Sequence, residues 1–235
     1  MDFKNLKIIG TSHISKQSVI EIEKAIEEIE PGIVTIELDK QRLYQLMHED
    51  KKQKINYRSI TQVGLKGFIF AIIASWMSKK LGKLVGMTPG ADMKHAVVVA
   101  SRKKIPIALI DQNIQITLKR LSKFMTWKEK WNFVSDIFKG LILPKKQMKS
   151  YGFENFDLSK VPGDELISKM LGTVKIRYPT IYRVLIEERN VVMANRLIKL
   201  MKKDPAVQII SIVGAGHKEG MLKYIKEKWD SIDVV

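Results

Sequence analysis

Four histidines occur in the 235-residue chain, and two of them follow glycine at the same spacing, in Gly10-Thr11-Ser12-His13 and Gly214-Ala215-Gly216-His217. Each tetrapeptide comes directly after a β-branched apolar run, at 6–9 and 207–213, so each histidine lies at a strand-to-loop junction. Acidic side chains hold matching places: Glu37 and Asp39 close the run 33–38, and Asp111 follows the run 105–110. Two neutral imidazoles and a carboxylate suit a divalent transition metal with open positions, and by ligand type Zn2+ or Fe2+ fits. Such an ion activates water and polarises a carbonyl, which is the chemistry of hydrolysis. Gly10, Gly214 and Gly216 can take positive φ and let backbone and ligand approach closely. A rival use of Gly214-x-Gly216 is phosphate binding at a helix N-terminus. The dinucleotide fingerprint fits badly, because Gly220 comes one residue late and a single short apolar run follows. His48 and His95, without ligand-spaced partners, read as structural or exposed.

The elements that must position these groups are five apolar runs, at 6–9, 33–38, 105–110, 207–213 and 232–235. Consecutive apolar residues in short runs suit strands buried on both faces, as in a parallel sheet. Amphipathic stretches separate them, so the expectation is an α/β fold: a central, mostly parallel sheet flanked by helices. Val19, Ile22, Ile26 and Ile29 form a helical stripe that Pro31-Gly32 ends. Asp39 can cap a helix carrying Leu43, Leu46 and Met47, and a lysine-rich linker at 48–54 leads to a helical region at 59–84. Pro89 is placed near the first turn of the next helix, whose buried side is Met93, Ala96, Val97 and Ala100. No strand signal occurs between the third and fourth runs, where 127–143, 161–171 and 178–203 read as helices. This makes a large helical insertion, about 114–204, within one domain spanning 1–235. The aromatics of 127–143 are expected in a core or an interface.

The absence of cysteine excludes disulfides, thiolate metal sites and cysteine nucleophiles. A formal charge of +16 attracts anionic partners, but the lysines come in short scattered pairs and no nucleic-acid module pattern accompanies them. Nucleic-acid binding therefore rests on charge alone and is not expected. No signal peptide is visible, and the longest apolar stretch, 63–77, is interrupted by Lys66 and is shorter than a membrane span.

In order along the chain, Gly10-Thr11-Ser12-His13, Ile36-Glu37-Leu38-Asp39 with Arg42, Pro89-Gly90, Asp111 with Arg120, Glu188-Arg189-Asn190 with Met193-Ala194, and Val213-Gly214-Ala215-Gly216-His217 resemble the TraB/PrgY family. The likeness spans about residues 7–225. That family is related to the Tiki metalloproteases and, more distantly, to the erythromycin-esterase and ChaN-like folds. The resemblance implies a metal site on His13, His217 and Glu37, with Mn2+ or Co2+ as the ion. It brings Arg42, Asp111, Arg120, Glu188 and Arg189 into the catalytic set: arginines for an oxyanion or a substrate carboxylate, and Asp111 to orient a histidine. Asp92 and Asn190 depart from the family pattern, which often has Glu and Asp there. A metal-dependent peptidase-like hydrolase acting on a peptide or protein is the expectation, with a pheromone-sequestering type of binding module as the alternative. The resemblance also implies membrane attachment through a C-terminal region, so the chain is expected to be a soluble domain of a longer protein, the cytoplasmic side favoured. Exposed apolar helix faces would suit a homodimer.

Overall fold

A computed structural model describes residues 2–12, 16–48, 90–142 and 163–231. Among them, five strands form one sheet: β1 (Asp2–Phe3), β2 (Leu6–Thr11), β3 (Ile33–Ile36), β4 (Ile107–Leu109) and β5 (Ile209–Gly214), in the order β1-β2-β5-β3-β4. β2, β5, β3 and β4 are parallel, and only the two-residue β1 runs antiparallel, to β2. The mostly parallel α/β fold is as expected. β1 carries no apolar run and is created by a tight turn in which Lys4 takes φ 54°. The fifth apolar run, 232–235, lies outside the described residues, as do His13, the helical region 59–84 and Pro89.

The consecutive apolar residues of each strand divide between two layers. Ile210 and Ile212 of β5, with Ile9, Val34 and Ile36, pack against α1 (Lys16–Ile29) and α3 (Ala91–Arg102) through Ile22, Ile26, Met93, Ala96 and Ala100. Ile209 and Val213, with Leu6 and Ile8, face α8 (Glu188–Lys203) and α9 (Ala215–Lys228) through Met193, Leu197, Ile198, Met201, Met221 and Ile225. Burial of each isoleucine, leucine, valine or methionine among them contributes about 1.5–3 kcal/mol. α3 begins after Gly90, which caps it with φ 83°.

Asp39 caps α2 (Lys40–Met47) as its sequence position indicates, its Oδ1 accepting from the N–H groups of Gln41 (2.8 Å) and Arg42 (3.0 Å). Its Oδ2 accepts from Arg42 Nε (2.9 Å) and from the Ile114 N–H (3.0 Å) at the start of α4 (Ile114–Phe124), so one carboxylate joins two helices. Burial works to raise its pKa, but the Arg42 hydrogen bonds and charge and the Ile114 bond together lower it. A lowered folded-state pKa gives stability that is present above about pH 4 and is lost as pH falls through the folded value. Asp39→Asn is expected to cost about 1–2 kcal/mol at pH 7, with the gap from the parent closing toward pH 3. Urea unfolding at both pH values checks this, and an unchanged gap would contradict it.

The stretch read as one helix at 178–203 is three segments. α6 (Asp164–Arg177) stops at Tyr178; α7 (Pro179–Tyr182) then runs through a π-helical turn, Arg183–Glu187, into α8. The helical residues between β4 and β5 also include α5 (Trp127–Ile142).

Candidate functional site

The carboxyl ends of β3, β4 and β5 are the crevice side of a parallel sheet. Glu37 follows β3 immediately, Asp111 follows β4 by two residues, and His217 sits in the first turn of α9, just past β5. Thr11, the last residue of β2, pairs with Gly214, the last of β5, so the two Gly-x-x-His segments leave neighbouring strand ends. His13 itself lies outside the described residues.

Neither glycine motif uses positive φ. Gly10 lies within β2, Gly214 has φ −59° as the N-cap of α9, and Gly216 is helical. Gly10 serves close approach instead, since a Cβ there would lie 3.1 Å from the Ala215 Cα. The anion at the buried N-terminus of α9 is the chain's own: Glu37 Oε2 accepts the Gly214 N–H at 2.6 Å.

Arg189 on α8 is the hub. Its Nη2 donates to Glu37 Oε1 and, at 2.6 Å, to Asp111 Oδ2; its Nε reaches both Asp111 oxygens at 3.1 and 3.2 Å. Its Nη1 donates to the Leu185 carbonyl (3.1 Å), in the π-helical turn, and to His217 Nε2 (3.1 Å). The guanidinium thus satisfies a carbonyl of its own helix where the ordinary ladder is interrupted. Burial opposes its charge, but Glu37 and Asp111 more than offset this and raise its pKa, so it stays cationic. Arg42 donates to Asp111 Oδ2 from the other side, and Arg196 Nη1 donates to the Asp111 carbonyl at 2.6 Å. Glu37, Asp39, Asp111 and His217 are nearly inaccessible, at 5%, 5%, 2% and 4% exposed. Three carboxylates, of Glu37, Asp39 and Asp111, therefore meet two guanidinium groups, Arg42 and Arg189, at the sheet edge, with Arg196 on the Asp111 main-chain carbonyl.

His217 is fixed from its other side. Its Nδ1 lies 2.7 Å from Asn190 Oδ1, an atom that can only accept, so Nδ1 carries the hydrogen and the Nε2 lone pair faces Arg189 and Glu37. Glu37 Oε1 is 3.3 Å from that Nε2. Asn190 fits against α9 because residue 220 is glycine: a Cβ there would lie 2.4 Å from its Nδ2.

The structure thus brings together Glu37, Arg42, Asp111, Arg189 and His217. Arg120 and Glu188 instead pair with each other, at 2.5 and 2.7 Å, with the Arg120 side chain 44% exposed. Asp111 bonds arginines, and the residue that orients His217 is Asn190. Asn190 appeared in the sequence only as a departure from an acidic pattern. Arg196 was missed, although it follows Arg189 by seven residues and so shares its helix face. His95 approaches Glu23 at 3.5 Å, and His48 Nδ1 donates to the Tyr44 carbonyl at 2.8 Å; both are remote from this centre in their contacts.

For a divalent ion, the donor chemistry of His217 Nε2 and Glu37 Oε1 is suitable, and the Asn190 bond on the far nitrogen is the usual support for a ligating imidazole. Among the described residues, no three His, Asp or Glu side chains gather as a ligand group. An ion on these two atoms would compete with Arg189, which bonds both.

Residues 2–228 match the TraB/PrgY/gumN family. An uncharacterized protein of Methanocaldococcus jannaschii is 36% identical over 236 residues, covering 98% of this chain and 55% of its own length. TraB domain-containing proteins of Mus musculus and Homo sapiens are 24% and 23% identical over 253 residues, covering 94% of this chain and 63% of theirs. The chain therefore spans between about half and two thirds of these relatives.

Proposed function

The chain belongs to the TraB/PrgY/gumN family, and from that premise we propose that it is the hydrolytic part of a metal-dependent peptidase-like enzyme acting on a peptide or protein at a membrane. The observation that carries this reading is the convergence of the His217 Nε2 lone pair and a Glu37 oxygen, 3.3 Å apart, at the carboxyl edge of the sheet. Both are held in place from behind, by Asn190 and by the Gly214 N–H. His217 and Glu37, with His13 as third ligand, would hold the ion, Mn2+ or Co2+ in preference to Zn2+ or Fe2+. A divalent ion there would supply Lewis-acid activation of water and of the scissile carbonyl.

The remaining roles fall to the chain's own groups. Arg42 is a pre-aimed cation that can take a carbonyl oxygen or substrate carboxylate, while Arg189, its N–H groups placed on Glu37, Asp111, His217 and Leu185, supplies positive charge to the centre. Asp111 keeps both guanidinium groups in place, and Asn190 holds His217 in the tautomer whose Nε2 lone pair is available.

The test is elemental analysis of the protein together with peptide turnover, for the parent, His13→Ala and His217→Ala. Loss of metal and of turnover in both variants is expected, by at least about 100-fold. Equal metal content and equal turnover in all three would sink the reading. A second reading, capture of a peptide without cleavage, is favoured by the guanidinium that already bonds both metal-donor atoms. It predicts stoichiometric, metal-independent binding with the peptide recovered intact.

A further inference from the structure

α5 is an amphipathic helix turned inside out. Its inner side is polar: Glu129, 2% exposed, accepts from the Thr126 hydroxyl (2.8 Å) and the Thr180 N–H (2.6 Å). One turn and two turns on, Asn132 donates to the Arg177 carbonyl (3.4 Å), and Asp136 receives Arg177 through two bonds of 2.5 Å and the Tyr178 hydroxyl at 2.6 Å. The Glu129 carboxyl is raised by burial, but its bonds to Thr126 and Thr180 lower it further, so the anion is retained inside. The spacing of 129, 132 and 136 fixes the opposite face as 127, 131 and 134, and these are Trp127, Trp131 and Val134, exposed by 72%, 71% and 46%. The sequence placed these aromatics in a core or an interface; they are outside because the buried acids claim the inner side.

The surroundings of that face are cationic. α4 and the described part of α5 carry Lys119, Lys123, Lys128 and Lys130 besides Arg120, which is paired with Glu188, and their acidic residues, Glu129 and Asp136, are both committed inward. Lys130 lies 4.7 Å from the Trp127 ring centroid, and Lys123 lies 5.3 Å from that of Phe124, itself 38% exposed. Indole rings prefer the boundary between water and hydrocarbon, and lysines around them add attraction to anionic headgroups. A second copy would set like charges against each other, since each chain carries +16.

We propose that the Trp127–Trp131 face of α5 docks on an anionic lipid surface, with the indoles entering the interface and the flanking lysines meeting the headgroups. The proposal does not use Glu37, Arg189 or His217, so absence of hydrolysis leaves it standing. The experiment is co-sedimentation of the 235-residue chain with vesicles of phosphatidylcholine, and with vesicles in which part of that lipid is phosphatidylserine. Binding to the anionic vesicles alone is expected, falling with salt. The double variant Trp127→Ser, Trp131→Ser should weaken it about tenfold or more, and Lys123→Glu with Lys128→Glu should do likewise through charge alone. Exposed positions predict parent-like urea unfolding for both variants. No binding, equal binding to neutral vesicles, or parent-like binding by both variants would overturn the proposal. So would a concentration-dependent dimer, or tight oligonucleotide binding, that the Trp variant abolishes while vesicle binding is absent.

Discussion

Arg189→Met is expected to remove about 3–5 kcal/mol of stability, a large part of what a domain of this size possesses. The substitution keeps an unbranched apolar stem but leaves Glu37 and Asp111 ionised, nearly inaccessible and without their shared cation. Arg189→Lys is expected to recover less than half of the loss. The native side chain uses Nε, Nη1 and Nη2 toward four different partners, which a single ammonium cannot reach at once. Urea unfolding of the parent and both variants at pH 7 measures these losses; a loss below about 1 kcal/mol for Arg189→Met would mean that the network is incidental.

Glu37→Gln is expected to lower metal content and turnover by at least about 100-fold while leaving most of the fold intact. Glutamine is nearly isosteric and still presents an oxygen to the Gly214 N–H, so the start of α9 should hold. What it lacks is the anion beside His217 Nε2. A stability cost of about 2 kcal/mol from the weakened Arg189 bond is expected, and unfolding should stay cooperative. Parent-like turnover in this variant would remove Glu37 from the reaction, and parent-like peptide binding with no turnover in either protein would favour the capture reading.

Strand interiors and strand-end chemistry could be read directly from the chain. β2, β3 and β5 are apolar on consecutive residues because both sheet faces are covered, and that pattern needs no tertiary knowledge. Glu37, Asp111 and His217 were identifiable because each comes within three residues of a strand's end. The contacts that join them were not. Whether Asp111 or Asn190 orients His217 depends on how α8 lies against α9, and the Gly220 gap that admits Asn190 is visible only once they are packed. Arg120 and Glu188 looked like members of the centre because of their neighbours in sequence, yet each satisfies the other at the surface. The outward tryptophans escaped for a similar reason: Glu129 and Asp136 look solvent-facing until Thr180, Arg177 and Tyr178 are brought to them.

The position of β5 between β2 and β3 has a consequence for how the molecule comes into being. The strand that joins the two halves of the sheet is the last one made among those described. Until residues 209–214 have left the ribosome, β2 and β3 have no partner in common, and each shows an apolar edge. Among the described residues, the β1–β2 and β3–β4 pairs therefore wait apart, and the sheet closes late, through β2–β5 contacts about two hundred positions apart. The same event completes the centre, because Gly214 brings the N–H that Glu37 accepts and His217 follows three residues later. A nascent chain of this protein cannot acquire its chemistry gradually; the site and the sheet arrive together.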